Sequence, residues 1–562
     1  VEKVNLAYKY LEKSDFESYE DFCENFKFKI PENFNFAYDI MDEYARLEPD
    51  RLALVWCDDS GSEKKFTFKE LKKYSDKTAN MLKDAGIRKG DRVMLILRRR
   101  YEFYFVVLAL AKIGAIYIPS NNQLTEKDIS YRNNAASVKA IIAYNQAEIL
   151  EHIEASKANS PTVEMYFLVG GQRPGWMDFD KMMEGSKEDW VRPTGSNNTC
   201  NEDPMIIYFT SGTTSMPKMA VQNFTYPIGH IVTAKYWQRV IDGKLHMTVS
   251  DSGWAKFGWG KIYGQWICGA VQFVYDMDRF DPCSLLEKIE KYKVSTFCAP
   301  PTMYRFILQQ DIEKYDLSSL VHCSTAGEPL NPEVYNRFHK RTGLKIMNGF
   351  GQTETTVLVA SFEWFETSPG AMGKPNPAYK IDIVDENDCS CPVGVEGQLV
   401  IREADSNKPA GLFGGYFRDK EATDRVWYND IYHTGDMAYR DEHGFLWFVG
   451  RNDDVIKASG YRISPFEVES AVIEHPAVVE CAVTGVPDAV RGTVVKATVV
   501  LAKGYTPSEE LKKDIQDYVK KVTAPYKYPR VLEFVDELPK TISGKIKRAQ
   551  IRQEDNDKFN KQ

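Results

Sequence analysis

The chain has 562 residues, more than a single hydrophobic core usually supports, so two or more domains are expected. Hydrophobic residues make up 43% and charged residues 27%, the balance of an ordinary globular protein. The net charge of −8 argues against a general nucleic-acid binder, which presents a basic face, and leaves room for a local basic patch around a phosphorylated ligand.

The first residues, "VEKVNLAYKYLEKSDFESY", carry acidic side chains early and lack an apolar core, so no signal peptide is expected there. The ten cysteines are scattered singly apart from Cys389 and Cys391, with no CxxC pair and no His/Cys cluster. They argue against zinc and read as the reduced thiols of a cytoplasmic protein. Going down the chain, "DRVMLIL", "AIYIP", "KAIIAY", "EMYFLV", "MIIYFTSG", "HMTVS", "VSTFCAP" and "VHCSTAG" predict strands. Between several of them lie amphipathic stretches such as "FKELKKYSDKTANMLKDAG", an alternation that predicts α/β layers around largely parallel sheets. The most apolar segment, "FYFVVLALAKIGAIYIP", is interrupted by Lys112 and Gly114 and predicts a buried helix running into a strand, not a membrane span.

After about Gly349 the pattern changes. "YKIDIVDEN", "EGQLVIRE" and "MAYRDEHGFLWFVGR" alternate apolar and polar residues around turn signals, which predicts antiparallel strands or a small β-barrel-like subdomain. The polar passage "RNDDVIKASGYRISPFEVESAV" is the candidate domain boundary. The expected organisation is a large domain over 1–451, a hinge at 452–454 and a small, mobile α+β domain over 455–562. In the small domain, "TPSEELKKDIQDYVKKV" predicts a helix with Thr506 as N-cap, Pro507 at the first helical position and Glu509 completing a capping box. Leu511, Ile515 and Val519 then share its apolar face.

"YFTSGTTSMPK" (208–218) offers glycine, hydroxyls and a lysine after a strand, the chemistry of an anion-holding loop. It is not a P-loop, since Pro217 rather than glycine precedes Lys218 and Met219 rather than Ser or Thr follows it. Further along stand "AGEPL" (326–330), "NGFGQTET" (348–355), "YHTGD" (432–436), "GRNDDVIK" (450–457), "SGYRI" (459–463) and "PKTISGK" (539–545). This ordered set, with its spacings, resembles the adenylate-forming superfamily of acyl- and aryl-CoA synthetases, luciferase and peptide-synthetase adenylation domains. "SGYRI", "TAPYKYPR" and "PKTISGK" look most like the medium-chain acyl-CoA synthetases.

The resemblance implies roles residue by residue. Thr210, Ser211, Gly212, Thr213, Thr214, Ser215 and Lys218 would cover the β- and γ-phosphates of ATP and then pyrophosphate. Gly327, Glu328 and Pro329 would wall adenine and the acyl group. Within the stretch formed by Asn348, Gly349, Phe350, Gly351 and Gln352, Phe350 would face adenine. Thr353 would donate to the α-phosphate and Glu354 would hold Mg²⁺, a hard cation suited to carboxylate and phosphate oxygens. Asp436 would accept from the ribose hydroxyls with Arg451 assisting, and Asp453 would be the hinge. Lys545 would bridge the attacking carboxylate and the α-phosphate. Ser459, Gly460 and Tyr461 would line the pantetheine tunnel, with Arg462, Arg491 and Lys527 on the phosphates of coenzyme A. Singly, each residue has a plainer reading, as a turn former, a core aromatic or a solvated charge.

The reaction implied is activation of a small-molecule carboxylic acid by ATP to acyl-AMP, then transfer to coenzyme A, without a protein nucleophile or tightly bound prosthetic group. In acetyl-CoA synthetases a tryptophan stands where this chain has Gly351, so a longer acid is expected, of medium length or branched, with a benzoate-like aromatic acid behind it. Trp254 and Trp259 are candidate pocket walls, although core packing explains Trp259 equally well. Lys256 either lines the site or snorkels to solvent. Rival readings are an adenylation enzyme loading a carrier protein, a luciferase-like oxygenase, and a nucleotide-binding regulator that has lost catalysis. The expected state is a monomer or homodimer in the cytoplasm, serving fatty-acid metabolism.

Overall fold

The computed structural model describes residues 4–210, 216–458, 461–488, 492–541 and 545–559. Two sheets dominate. The first runs, edge to edge, Met177–Asp178, Met165–Val169, Ala140–Tyr144, Arg92–Ile96, Ile116–Pro119, Pro204–Phe209 and Met219–Asn223. Its neighbours are parallel except for the final pair. The second sheet has nine strands, parallel from Ile346–Gly351 through His322–Ala326, Thr296–Cys298, Leu245–Thr248 and Val271–Asp276 to Leu52–Asp58, with antiparallel edges.

The period-two alternation of strand side chains divides the interior into layers. Leu54 and Trp56 enter a core shared with Val93 and Leu95 of the other sheet. Val55 and Cys57 enter an outer core with helices Pro282–Tyr292, Pro301–Leu308 and Pro332–Thr342. Met94 and Ile96 face a third core with helices Glu126–Ala136 and Ala147–Ser156. The shared core holds helix Glu102–Ile113, every residue of which is buried. This is the apolar segment whose lysine spoke against a membrane span. The Lys112 ammonium is buried and held by Asp42 at 2.8 Å, by Ser75 at 3.0 Å and by Asp76. Among the described residues no helix is long and apolar enough to cross a membrane. Helix Phe68–Ala85 begins in a capping box between Thr67 and Glu70 and ends at Gly86, whose φ of 113° suits glycine alone.

The antiparallel region expected after Gly349 is a branched five-stranded sheet. Lys380–Val384, Gly397–Arg402 and Ile431–Arg440 pair in turn, and both Trp427–Tyr428 and Leu446–Arg451 pair onto Ile431–Arg440. Beyond it come the hairpin Ile456–Ala458/Tyr461–Ile463 and a three-stranded sheet of Val478–Asp488, Gly492–Leu501 and Val531–Phe534. Helices Pro465–Ile473 and Glu509–Val522 complete that core through Val468, Val472, Ile515 and Val519. The helix start needs a correction. Ser508, not Thr506, is the N-cap, its hydroxyl accepting from Leu511 N, and Glu509 is the first helical residue. Glu509 and Glu510 then both sit in the first turn, where the helix dipole favours anions, and the apolar face is the same in either register.

Candidate active site

Three of the seven motifs leave the carboxyl ends of parallel strands, the usual place for a site in open α/β sheets, and two more lie on the antiparallel sheet. The phosphate-loop candidate follows Pro204–Phe209. Thr210 N donates to Lys218 O at 2.8 Å, closing the base of the loop before the chain turns back along Met219–Asn223. Ser211, Gly212, Thr213, Thr214 and Ser215 lie outside the described residues. The Lys218 ammonium stands 5.0 Å from the centre of the Tyr416 ring.

Strand Ile346–Gly351 delivers the second motif. The Asn348 amide donates to Ala371 O at 2.9 Å, so its side chain is committed within the fold. Phe350 is half-buried with its ring 6.0 Å from that of Phe448. Just beyond, Gln352 Nε2 donates to Thr434 O at 2.8 Å and to Asp436 Oδ2 at 2.5 Å, while Tyr432 donates to Gln352 Oε1 at 2.7 Å. Gln352 therefore orients the carboxylate that the sequence assigns to ribose. Gln222 Nε2 donates to the Thr353 carbonyl at 3.1 Å.

The antiparallel sheet sets Asp436 directly opposite Arg451, and Arg451 Nη1 donates to Asp436 Oδ1 at 3.2 Å and to Thr434 O at 3.0 Å. Burial raises the Asp436 pKa above the usual carboxylate value, and Arg451, Gln352 and the nearby charge of Lys545 work against that rise. Glu354 is raised by burial too, opposed first by the Tyr416 hydroxyl that donates to its Oε1 at 2.8 Å. Among the described residues no group of three or more His, Cys, Asp or Glu could hold a metal by itself. One carboxylate beside a candidate phosphate loop does fit magnesium, which takes one or two protein carboxylates and completes its shell with substrate phosphates and water.

Glu328 accepts from the Thr302 hydroxyl at 2.7 Å, and Gly327 has a φ of 101° that exposes the backbone of the turn. Pro329 is exposed next to it. Lys256 turns inward and donates to Ala326 O, and a β-carbon on Gly327 would lie 3.5 Å from its Nζ. Burial lowers its pKa, with Cys298 and Glu328 opposing and Lys545 adding to the fall. The Lys256 ammonium therefore points to the turn at Ala326 and Gly327 and does not reach for solvent. Lys545 itself is exposed, its N–H on Thr541 Oγ1 at 3.1 Å, and its charge acts on both Asp436 and Lys256.

The acyl pocket requires a correction. Gly351 does not open free space. A β-carbon there would stand 2.4 Å from Cη2 of Trp259 and 2.5 Å from Thr356 O. The Trp259 indole fills that volume, buried and in edge contact with Trp237 at 6.3 Å between ring centres. Trp254 is half-buried at the start of helix Ala255–Lys261. The last residue of that helix, Lys261, went unremarked in the sequence. It is 1% exposed, and burial, reinforced by Arg99 and opposed by Asp251 and Asp276, pushes its ammonium down to about 7. Between pH 7 and the ordinary lysine value of 10.5 the unfolded chain binds a proton that the folded chain does not. Stability attributable to this group therefore rises with pH through that window, by at most about 1.4 kcal/mol per pH unit. Lys261→Met is expected to raise stability at pH 7 and to flatten that slope, as measured by urea denaturation at pH 7 and pH 9.5.

On the small-domain side, Tyr461 and Arg462 lie on the strand Tyr461–Ile463, whereas Ser459, Gly460 and Arg491 fall outside the described residues. Lys527 is engaged by Glu467 at 2.6 Å. Asp453 is exposed, 4.0 Å from Arg451, in the turn where Asp454 N and Val455 N return to Arg451 O.

The sequence pattern of the AMP-binding enzyme family matches residues 41–417, and that of the AMP-binding enzyme C-terminal domain matches 467–545. The chain is 42% identical to "Acyl-coenzyme A synthetase ACSM3, mitochondrial" of Rattus norvegicus, over 96% of this chain and 94% of that protein. It is 44% identical to "Acyl-coenzyme A synthetase ACSM4, mitochondrial" of Homo sapiens, over 94% and 91%. Among solved structures, an anthranilate CoA ligase in complex with anthranoyl-AMP superposes with a TM-score of 0.86 at 27% identity, covering 94% of this chain and 99% of the other. An acyl-CoA synthetase of Brucella canis does so with a TM-score of 0.69 at 30% identity, covering 94% and 95%. The chain belongs to the AMP-binding enzyme family and is an AMP-forming acyl-coenzyme A synthetase, as its motifs had suggested.

Proposed function

We propose that this enzyme joins a medium-length or branched aliphatic acid to coenzyme A at the crevice between the two sheets and the small domain. The observation that carries the reading is the convergence of Asp436, Arg451, Glu354 and Lys218, with the charge of Lys545 reaching Asp436 and Lys256. The acid's carboxylate oxygen attacks the α-phosphorus of ATP, and the bond to the bridging oxygen breaks to release pyrophosphate. Lys545 neutralises charge on the carboxylate and α-phosphate, Thr353 donates to the same phosphate, and Asp436 and Arg451 fix the ribose. Lys218 and the residues of its loop hold the departing pyrophosphate. Glu354 would hold the magnesium ion, which screens the polyphosphate charge. The coenzyme A thiol then attacks the acyl carbon, AMP leaves and the thiol proton is lost.

The chain would divide at 452–454, with Asp453 as the hinge, and the 455–562 domain would present first Lys545 and then the face of Ser459, Gly460, Tyr461 and Arg462. Arg491 would hold coenzyme A phosphates, as would Lys527 once it exchanges Glu467 for them. Of the two classes of acid, the aromatic one has the weaker support, since the relatives above 40% identity are named acyl-coenzyme A synthetases. The ten free thiols suit a reducing compartment, the cytoplasm or, as the names of those relatives carry, the mitochondrion.

Trp259 against Gly351 favours a compact acyl group over a long straight one. Trp259→Ala removes most of an indole from the pocket wall, and KM for C8–C10 acids is expected to fall about tenfold relative to that for C3–C5 acids, the scale of one or two methylenes. An unchanged chain-length profile would make Trp259 a packing residue. The reading as a whole is tested by measuring pyrophosphate release with C2–C12, branched and aromatic acids; no acid-dependent release in the whole panel would overturn it.

A further inference from the structure

The segment 413–417 lies beside both halves of the phosphate site, yet no motif singled it out. Phe413 N donates to Glu354 O at 2.8 Å, Gly414 N to Val221 O at 2.8 Å and Phe417 N to Met219 O at 2.8 Å. The segment thus adds to the strand that begins immediately after Lys218 while holding the backbone of Glu354. Gly415, at a φ of 99°, makes the turn, and Tyr416 N is fixed by Thr423 Oγ1 at 2.9 Å. From this frame the buried Tyr416 side chain projects between two opposite charges. Its hydroxyl donates to Glu354 Oε1 at 2.8 Å, and its ring face receives the Lys218 ammonium at 5.0 Å.

We propose that Tyr416 is a positioning residue that holds Lys218 and Glu354 apart, the cation on its ring and the carboxylate at its hydroxyl. The inference rests on the reading of this crevice as the ATP site. Without a spacer, a half-buried lysine and carboxylate on either side of one phenol would pair directly, and neither would be free for a ligand. A phenol suits the spacing because it has both an electron-rich face for the ammonium and a donor for the carboxylate. One carboxylate oxygen is thereby fixed, and among the described residues no other side chain donates to Glu354, which leaves Oε2 to a cation. The polyphosphate and its magnesium then meet Lys218 and Glu354 in register.

The two halves of the role separate by substitution. Tyr416→Phe keeps the ring under Lys218 and removes the donor to Glu354, whereas Tyr416→Leu removes both. Calorimetric titration with ATP, with and without Mg²⁺, reads each half at equilibrium, and thermal melting checks that both variants fold. Tyr416→Phe is expected to bind Mg²⁺-free ATP like the native enzyme and to need about tenfold more Mg²⁺ for half of the metal-dependent gain. Tyr416→Leu is expected to weaken Mg²⁺-free binding as well. Equal Mg²⁺ requirements in Tyr416→Phe and the native enzyme would overturn the proposal, as would equal losses in the two folded variants. Failure of the native enzyme to bind ATP would instead overturn the reading on which the inference rests.

Discussion

Lys545→Ala is expected to slow acyl-adenylate formation about a hundred- to a thousandfold and to spare thioester formation from supplied acyl-AMP. In the structure the lysine is exposed, and its positive charge acts on Asp436 and on Lys256. Only the first half-reaction brings a carboxylate anion against a phosphate, so only that step needs a cation between them. Loss of one preorganised charge of this kind costs about a hundred- to a thousandfold in rate. ATP–pyrophosphate exchange measures the first step alone, and thioester formation from synthetic acyl-AMP and coenzyme A measures the second. Loss of both steps in equal measure would contradict the alternating role proposed for the small domain.

The second large effect is expected at Asp436. Its carboxylate is buried and already held by Arg451 and Gln352, with Gln352 fixed in turn by Tyr432. Such a preorganised acceptor pair suits the two ribose hydroxyls, and hydrogen bonds to a charged group contribute about 1.5–3 kcal/mol each. Asp436→Ala is expected to weaken ATP about a hundredfold and to leave Arg451 without its partner. Asp436→Asn keeps one acceptor and is expected to lose about tenfold. Equilibrium titration with ATP and with 2′-deoxy-ATP separates the ribose contacts from general disruption. If both nucleotides weaken equally relative to the native enzyme, the 2′-hydroxyl is not read by this carboxylate.

Much of the architecture could be read from local pattern. The eight strand segments named in the α/β region all form strands, because short continuous apolar runs suit strands buried on both faces between helix layers. Gly86 and Gly114 end their helices in the left-handed region, as glycine after a helical run suggests. The motifs carried the family, since their order and spacing constrain one another far more than any single residue does.

What escaped was contact between distant segments. Whether Gly351 meant an open pocket depended on where the indole of Trp259 lay, and nothing near residue 351 reports that. The partner of Glu354 lies 62 residues further on, in a Gly-Gly-Tyr turn that reads locally as a turn and nothing more. Asn348 sits inside the nucleotide motif, yet its amide serves Ala371. At Ser508 two hydroxyl residues flank a proline, and propensity alone does not choose between them.

The central claim is that the crevice makes acyl-adenylates and passes the acyl group to free coenzyme A. It is tested most directly by incubating the enzyme with ATP, Mg²⁺, a C4–C6 straight or branched acid and coenzyme A, and identifying every product. AMP, pyrophosphate and acyl-coenzyme A in equal amounts are predicted, with acyl-AMP accumulating when coenzyme A is omitted. ADP and phosphate as products, or a thioester formed on a carrier protein and never on free coenzyme A, would contradict it.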